Sequence, residues 1–354
     1  MSESSFAVDR TALRAGYQRF MERAEDVNKL RDYWNLYATD LADAQGGLLA
    51  QMNESVEQLT PKIHQTFAVM RAEQSTIAEN FLDSQLAYER TEQENIGESR
   101  RIWNERTQSS AQESGTSLRS QGHLVDLPST KLRPPEPKLE PSWQLTEQIV
   151  HMKLPGVPSQ WDLIKRFTGF DVEKFFDDFI GLFVGNWRTI ALLGDVASNL
   201  DTATASCEAS TRNDAGVFIE DWTGGGAQLA RNHCDKTADR LGPVADGFQQ
   251  LSEAYKAAAA LSSFVIIEIK TELDNLLGIV GLLVQLVVDA VEMATTPDGL
   301  AKWQLMLTDL TLKYVTATIK VLELAARIWR AFALLLTAAG AVAITMRRYQ
   351  AMEG

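Results

Sequence analysis

The chain has 354 residues, 45% hydrophobic and 23% charged, with 34 basic against 47 acidic side chains and a formal net charge of −13. This is the profile of a folded chain; it excludes wholesale disorder and collagen, and a mean hydropathy of −0.16 argues against a multi-span membrane protein. No cluster of Lys and Arg larger than a pair occurs, so no basic face for nucleic acid is expected. Only Cys207 and Cys234 are present, too few for a disulfide scaffold or a Cys-rich zinc site. The opening Met1-Ser2-Glu3-Ser4-Ser5 carries neither a positive region nor an apolar core, so no cleaved signal peptide is expected.

Leu13, Phe20, Val27, Trp34 and Leu41 recur every seven residues, with Tyr17, Ala24, Leu30, Tyr37 and Ala44 between them. One apolar stripe on a helix of about 35 residues follows, roughly 50 Å long. Gly46-Gly47 breaks it, and a second stripe runs from Met52 through Ile63 and Phe81 to Tyr88. Thr60-Pro61 inside that stripe reads as a kink or a restart, with Thr60 as cap and Pro61 at the first helical position. The two helices form an antiparallel hairpin over residues 1–110, and neither can bury its stripe alone.

Seven of the ten prolines fall between Pro128 and Pro158, after a polar run from Gln108 to Gly122. Residues 111–158 therefore read as an extended linker before a module at 159–354. That module opens with an amphipathic segment from Phe170 to about Gly185 and continues as a long helix carrying Leu193, Leu200 and Cys207. After a turn at Glu220-Asp221-Trp222, Ala227, Cys234, Leu241, Phe248 and Tyr255 repeat every seven residues. Gly242-Pro243 is expected to kink this helix. Two uncharged runs, 275–288 and 331–346, follow; both are shorter than a bilayer span and read first as core, second as membrane-seeking. No segment alternates with period two, and the expected fold is all-α: tandem long antiparallel helical hairpins, the second extended by apolar helices.

His64, His123, His151 and His233 lie far apart, and no hydrolase, zincin or dinucleotide motif occurs. Gly224-Gly225-Gly226 lacks the Gly-Lys-Ser/Thr of a phosphate loop. With no nucleophile, base and orienter in sight, neither catalysis, a metal nor a cofactor is expected. The two cysteines lie symmetrically about Glu220–Asp221 and sit on the apolar stripes. A Cys207–Cys234 disulfide is expected if their Cα atoms come within about 7 Å; two buried free thiols are the alternative.

Long helices joined by a turn carrying Trp222-x-Gly224, with Phe218 before it and Gly225, Gly226, Ala227 and Ala230 after it, resemble the WXG superfamily, the helical-hairpin substrates of type VII (ESX) secretion. The N-terminal hairpin is similar to Esp-type substrates, in which a Tyr-x-x-x-Asp/Glu export signal lies late in or after the second helix. Tyr88-x-x-x-Glu92 matches that pattern, as does Tyr349-x-x-x-Glu353. The layout also resembles the N-terminal trafficking part of actinobacterial type VII toxins. Two departures stand out: the first turn, Gln45-Gly46-Gly47, has no Trp, and the second module exceeds the usual length. The resemblance implies a secreted or cell-surface, non-enzymatic protein acting through helix–helix contacts. It also implies secretion machinery or a small helical WXG-type protein as partner, with self-assembly and membrane contact as further roles. An α-helical pore-forming toxin and an intracellular helical scaffold stay open as alternatives.

Overall fold

The computed structural model describes residues 9–38, 47–103, 124–136, 142–293 and 297–351. Among them are eight α-helices and no strand: α1 (Arg10–Ala38), α2 (Ala50–Trp103), α3 (Ser142–Val150), α4 (Pro158–Thr168), α5 (Val172–Gly181), α6 (Arg188–Ile219), α7 (Gly225–Met293) and α8 (Pro297–Ala351). The all-α expectation holds. At 1.5 Å per residue α7 is about 100 Å long, and α2 and α8 about 80 Å each.

The heptad positions become the core. Leu13, Phe20, Val27 and Trp34 are buried on α1, and Met52, Ile63, Phe67 and Phe81 on α2. Cys234, Leu241, Phe248 and Tyr255 are buried on α7. Leu41 and the turn residues Gln45 and Gly46 lie outside the described residues. Neither stripe of the N-terminal hairpin is satisfied within the hairpin. Besides packing on each other, α1 packs on α6 and α2 on α8, while α6 packs on α7 and α7 on α8, closing a five-helix ring around a main core with a smaller apolar cluster at one end. Near the level of Trp187 the N-terminal hairpin ends, where the Leu48 amide donates to the Leu182 carbonyl at 3.1 Å. Beyond it the α7–α8 hairpin continues, clad by α3, α4 and α5. Phe167 meets Trp303 edge-on there, and Phe170 and Phe175 meet Tyr314.

Both internal prolines sit inside continuous helices, Pro61 in α2 and Pro243 in α7. Thr60 is not a cap. Its hydroxyl donates to the Val56 carbonyl at 2.8 Å and accepts from the Trp34 indole at 3.1 Å, so the helix runs on through the proline.

The segment read as a linker is partly a strap. Residues 124–136, with a 3-10 turn at Pro128–Lys131, lie against α1 and α6, and α3 packs on α7 with Trp143 and Ile149 buried. The strap is pinned through its backbone: Val125 N donates to Asp214 at 3.2 Å, Ser129 N to Asp26 at 2.7 Å, and Tyr33 Oη to the Arg133 carbonyl at 2.7 Å. Asn199 adds a fourth pin, to that carbonyl at 3.0 Å. Residues 111–123 and 137–141 of the expected linker lie outside the described residues.

A buried ion pair ties the strap and three helices together. Arg23 and Asp214 are both fully buried and bonded to each other. Arg23 also donates to Gln74 of α2 at 3.3 Å and to the Ser210 carbonyl at 3.2 Å, and Arg19 donates to Asp214 at 3.1 Å. Burial lowers the Arg23 pKa from its ordinary value, and the nearby carboxylate of Asp214 opposes that shift. Removing one partner strands a buried charge. Asp214→Ala is expected to cost about 3–5 kcal/mol in urea unfolding, and adding Arg23→Met to recover much of that loss. A double variant as unstable as the single one would contradict this account of the pair.

Candidate functional site

The turn between α6 and α7 is built from its glycines outward. Gly224 has φ +102°, a conformation that L-residues rarely adopt, and it lets the chain reverse just before α7 begins. Trp222 folds back inside the turn, buried, with its amide donating to the Ile219 carbonyl at 3.1 Å. A Cβ on Gly226 would stand 2.9 Å from the indole Cζ2 and 3.3 Å from the Tyr88 hydroxyl, so only glycine leaves room for the ring. Arg231 closes the far side by donating to the Ile219 carbonyl at 3.3 Å.

Tyr88 reaches this turn from α2. The Trp222 Nε1–H donates to its hydroxyl at 3.1 Å, and the rings meet edge-on with centroids 6.1 Å apart. Two residues singled out on separate hairpins thus form one aromatic pair. Glu92 follows one turn later on α2. Beneath the pair, Leu13, Phe20, Ile77, Phe81 and Phe218 form a separate apolar cluster at this end of the bundle. Beside it opens a cleft of about 580 Å³ between α2 and α7, lined by Phe81, Tyr88, Trp222, Leu229, His233 and Cys234. Leu229 is 72% exposed at its lip. Partial burial, with Arg240 and Lys236 nearby, lowers the His233 pKa, so the ring carries no charge at pH 7; the cleft is mostly apolar, with Asn80, Asp83, Ser84 and Thr91 of α2 as its polar edge. Such a cleft suits the apolar side chains of a partner segment.

Tyr349, the other tyrosine singled out, is elsewhere and buried. Its hydroxyl donates to Glu73 of α2, whose other oxygen pairs with Arg240 of α7 at 2.7 Å. The Arg240 guanidinium lies 5.4 Å over the tyrosine ring and donates to its carbonyl at 3.3 Å. Burial and then the Glu73 carboxylate raise the hydroxyl far above the ordinary tyrosine range, which keeps it a donor. Tyr349 therefore clamps the end of α8 onto α2 and α7. Glu353 lies outside the described residues.

The expected disulfide is absent: Cys207 and Cys234 are free, buried thiols. Symmetry about the turn misplaces the helix register. Arg212 bonds Asp239, Glu208 faces Gly242, and Ser252 bonds the Gly194 carbonyl, which puts residues of about 239 to 244 opposite Cys207. Cys234 sits one to three turns nearer the hairpin tip, packed with Ala215 and Trp222 in the end cluster, whereas Cys207 belongs to the main core. Among the described residues no group of three or more His, Cys, Asp or Glu side chains gathers as a metal site. The Arg23–Asp214 knot and the Glu73–Arg240–Tyr349 clamp are absent from the sequence expectations.

No protein-family model matches this chain, and neither a curated protein nor a solved structure does so.

Burial pushes the Cys207 thiol up to about 11 and Cys234 up to about 12, from 9.0. Above pH 9 the unfolded chain loses these protons while the folded chain keeps them. The thiols' contribution to stability is therefore complete below pH 9 and is lost as pH rises towards 11 to 12. Iodoacetamide at pH 8 is expected to alkylate both cysteines only after unfolding. The Cys207→Ala/Cys234→Ala variant is expected to show a shallower alkaline fall in urea midpoint. Rapid alkylation of the native chain would contradict the burial.

Proposed function

We propose that this chain is a type VII secretion substrate that works outside the cell through helix–helix contacts and not through catalysis. Its export determinants are Tyr88 with Glu92 and Trp222 with Gly224, read as one composite site. The observation that supports this most is the Tyr88–Trp222 hydrogen bond, which joins motif residues about 130 positions apart at one end of the bundle, beside an apolar cleft. A single end-on site gives a secretion component or a small helical partner one place to hold, and aromatic anchors in a desolvated pocket are what such contacts use. Because the two rings form one unit, their loss is expected to be non-additive.

Tyr88→Ala and Trp222→Ala are each expected to abolish export into the culture medium in a cell carrying a type VII system, and the double variant to lose no more than either single. Undiminished export of a folded double variant sinks the proposal.

A second reading, membrane contact, is favoured by a different observation. α7 and α8 each contain an 18-residue stretch apolar enough to cross a bilayer, of which only 33% is buried. Leu282 of α7 and Leu334 of α8 stand at the surface within the uncharged runs. If these helices act on lipid, the purified chain releases dye from liposomes, and Leu282→Asp/Leu334→Asp, altered only on exposed positions, does not. Equal release by both chains would argue against it.

A further inference from the structure

The outward face of α8 is not the face of a helix built for water. Seven-residue steps place Leu305, Leu312, Ile319, Ala326, Ala333 and Gly340 along it, all exposed, the first three at 72%, 65% and 52%. A straight helix drifts about 20° per heptad, about 100° over these five steps, so the positions form a stripe about 50 Å long that winds slowly round α8 and becomes one seam when two such helices supercoil. The threonines along it do not make it polar. Thr308, Thr316 and Thr337 turn their hydroxyls back onto the Gln304, Leu312 and Ala333 carbonyls at 2.8 to 2.9 Å. Solvent-facing helix surface normally carries charge, and a sustained apolar heptad is the signature of a seam between helices.

We infer that this stripe is a self-association surface, on which α8 of a second copy of the chain packs antiparallel about a two-fold axis through Ile319. Three features select that occupant. The heptad spacing matches a helix partner, whereas lipid imposes no period, and 50 Å exceeds the roughly 30 Å of a bilayer core. The stripe is large at one end and small at the other, and antiparallel pairing sets Leu305 against Ala333 and Leu312 against Ala326. A parallel pair would set leucine on leucine at one end and alanine on alanine at the other, so the helices could not keep one spacing along the seam. One flanking charge pair is complementary: Asp309 falls within one residue of Arg330 across the axis, while Lys313, which pairs with Asp309 at 2.8 Å within α8, lies two residues from both Glu323 and Arg327 and favours neither orientation. Each residue thus meets its counterpart reciprocally, as a closed two-fold interface requires. The inference does not depend on the export reading, and a purified chain suffices to test it.

Single cysteines on the stripe read the arrangement directly, because both native thiols are buried. Under mild oxidation Ile319→Cys is expected to give a disulfide-linked dimer of twice 39.3 kDa. Leu305→Cys alone is expected to give none, and Leu305→Cys mixed with Ala333→Cys to give the mixed dimer. Sedimentation of the unmodified chain should report a dimer, and Leu312→Lys/Ile319→Lys a monomer with unchanged helical circular dichroism. A monomeric unmodified chain overturns the proposal, as does a Leu305→Cys chain that links to itself. So does flotation of the chain with liposomes when Ile319→Cys fails to cross-link.

Discussion

The contact between Arg23 and Asp214 sets how the two hairpins sit on each other. A charge with no exposure to solvent must find its partners inside the fold, and the carboxylate that neutralises Arg23 lies 191 residues away on α6, shared with Arg19. Once the pair is made, Gln74 brings α2 into register and Asp214 receives the strap through Val125. Apolar contacts are not directional, so a stripe such as Leu13, Phe20, Val27 and Trp34 still buries apolar surface after a heptad slip. A buried ion pair does not survive that slip. The specificity of the five-helix arrangement rests here, and bulk apolar burial supplies most of its stability.

That register is what assembles the end site. Tyr88 is on α2 and Trp222 in the turn between α6 and α7, with no chain connection near the site, so their hydrogen bond exists only while α2 lies beside that turn in the observed alignment. On the proposed export reading, a partner that reads both aromatics would select the folded, docked chain over a loosened one. The Glu73–Arg240–Tyr349 clamp works on the same alignment from the middle of α2 and holds the end of α8 in the ring.

The long helices were legible because period seven survives in them without interruption: Leu13 to Trp34 and Cys234 to Tyr255 are core residues, as their spacing implies. The strap was not. Its prolines and charges describe a chain that cannot be helical, which is correct, but its docking runs through backbone groups at Val125, Ser129 and Arg133 that carry no side-chain signature. The disulfide expectation failed because a hairpin's midpoint does not determine its register; Arg212 with Asp239 does. One signal was present and unused. Asp214 occupies the heptad slot after Leu200 and Cys207, and Arg23 lies seven residues from Leu30. Two opposite charges in core slots on different helices point to each other. Half of the candidate site was legible in the same way, since the turn was placed by periodicity, but its meeting with Tyr88 depends on long-range docking.

The strap and the ion pair have a consequence for synthesis. Helices α1 and α2 leave the ribosome long before α6, so their stripes are covered only in part, each by the other, until well over half the chain has been made. The decisive contacts span nearly 200 residues, which makes for slow, late closure compared with a bundle of sequential neighbours. During that interval the nascent hairpin lacks the partners of Arg23 and Phe67, which are Asp214 of α6 and Phe248 of α7, and leaves an adhesive surface open.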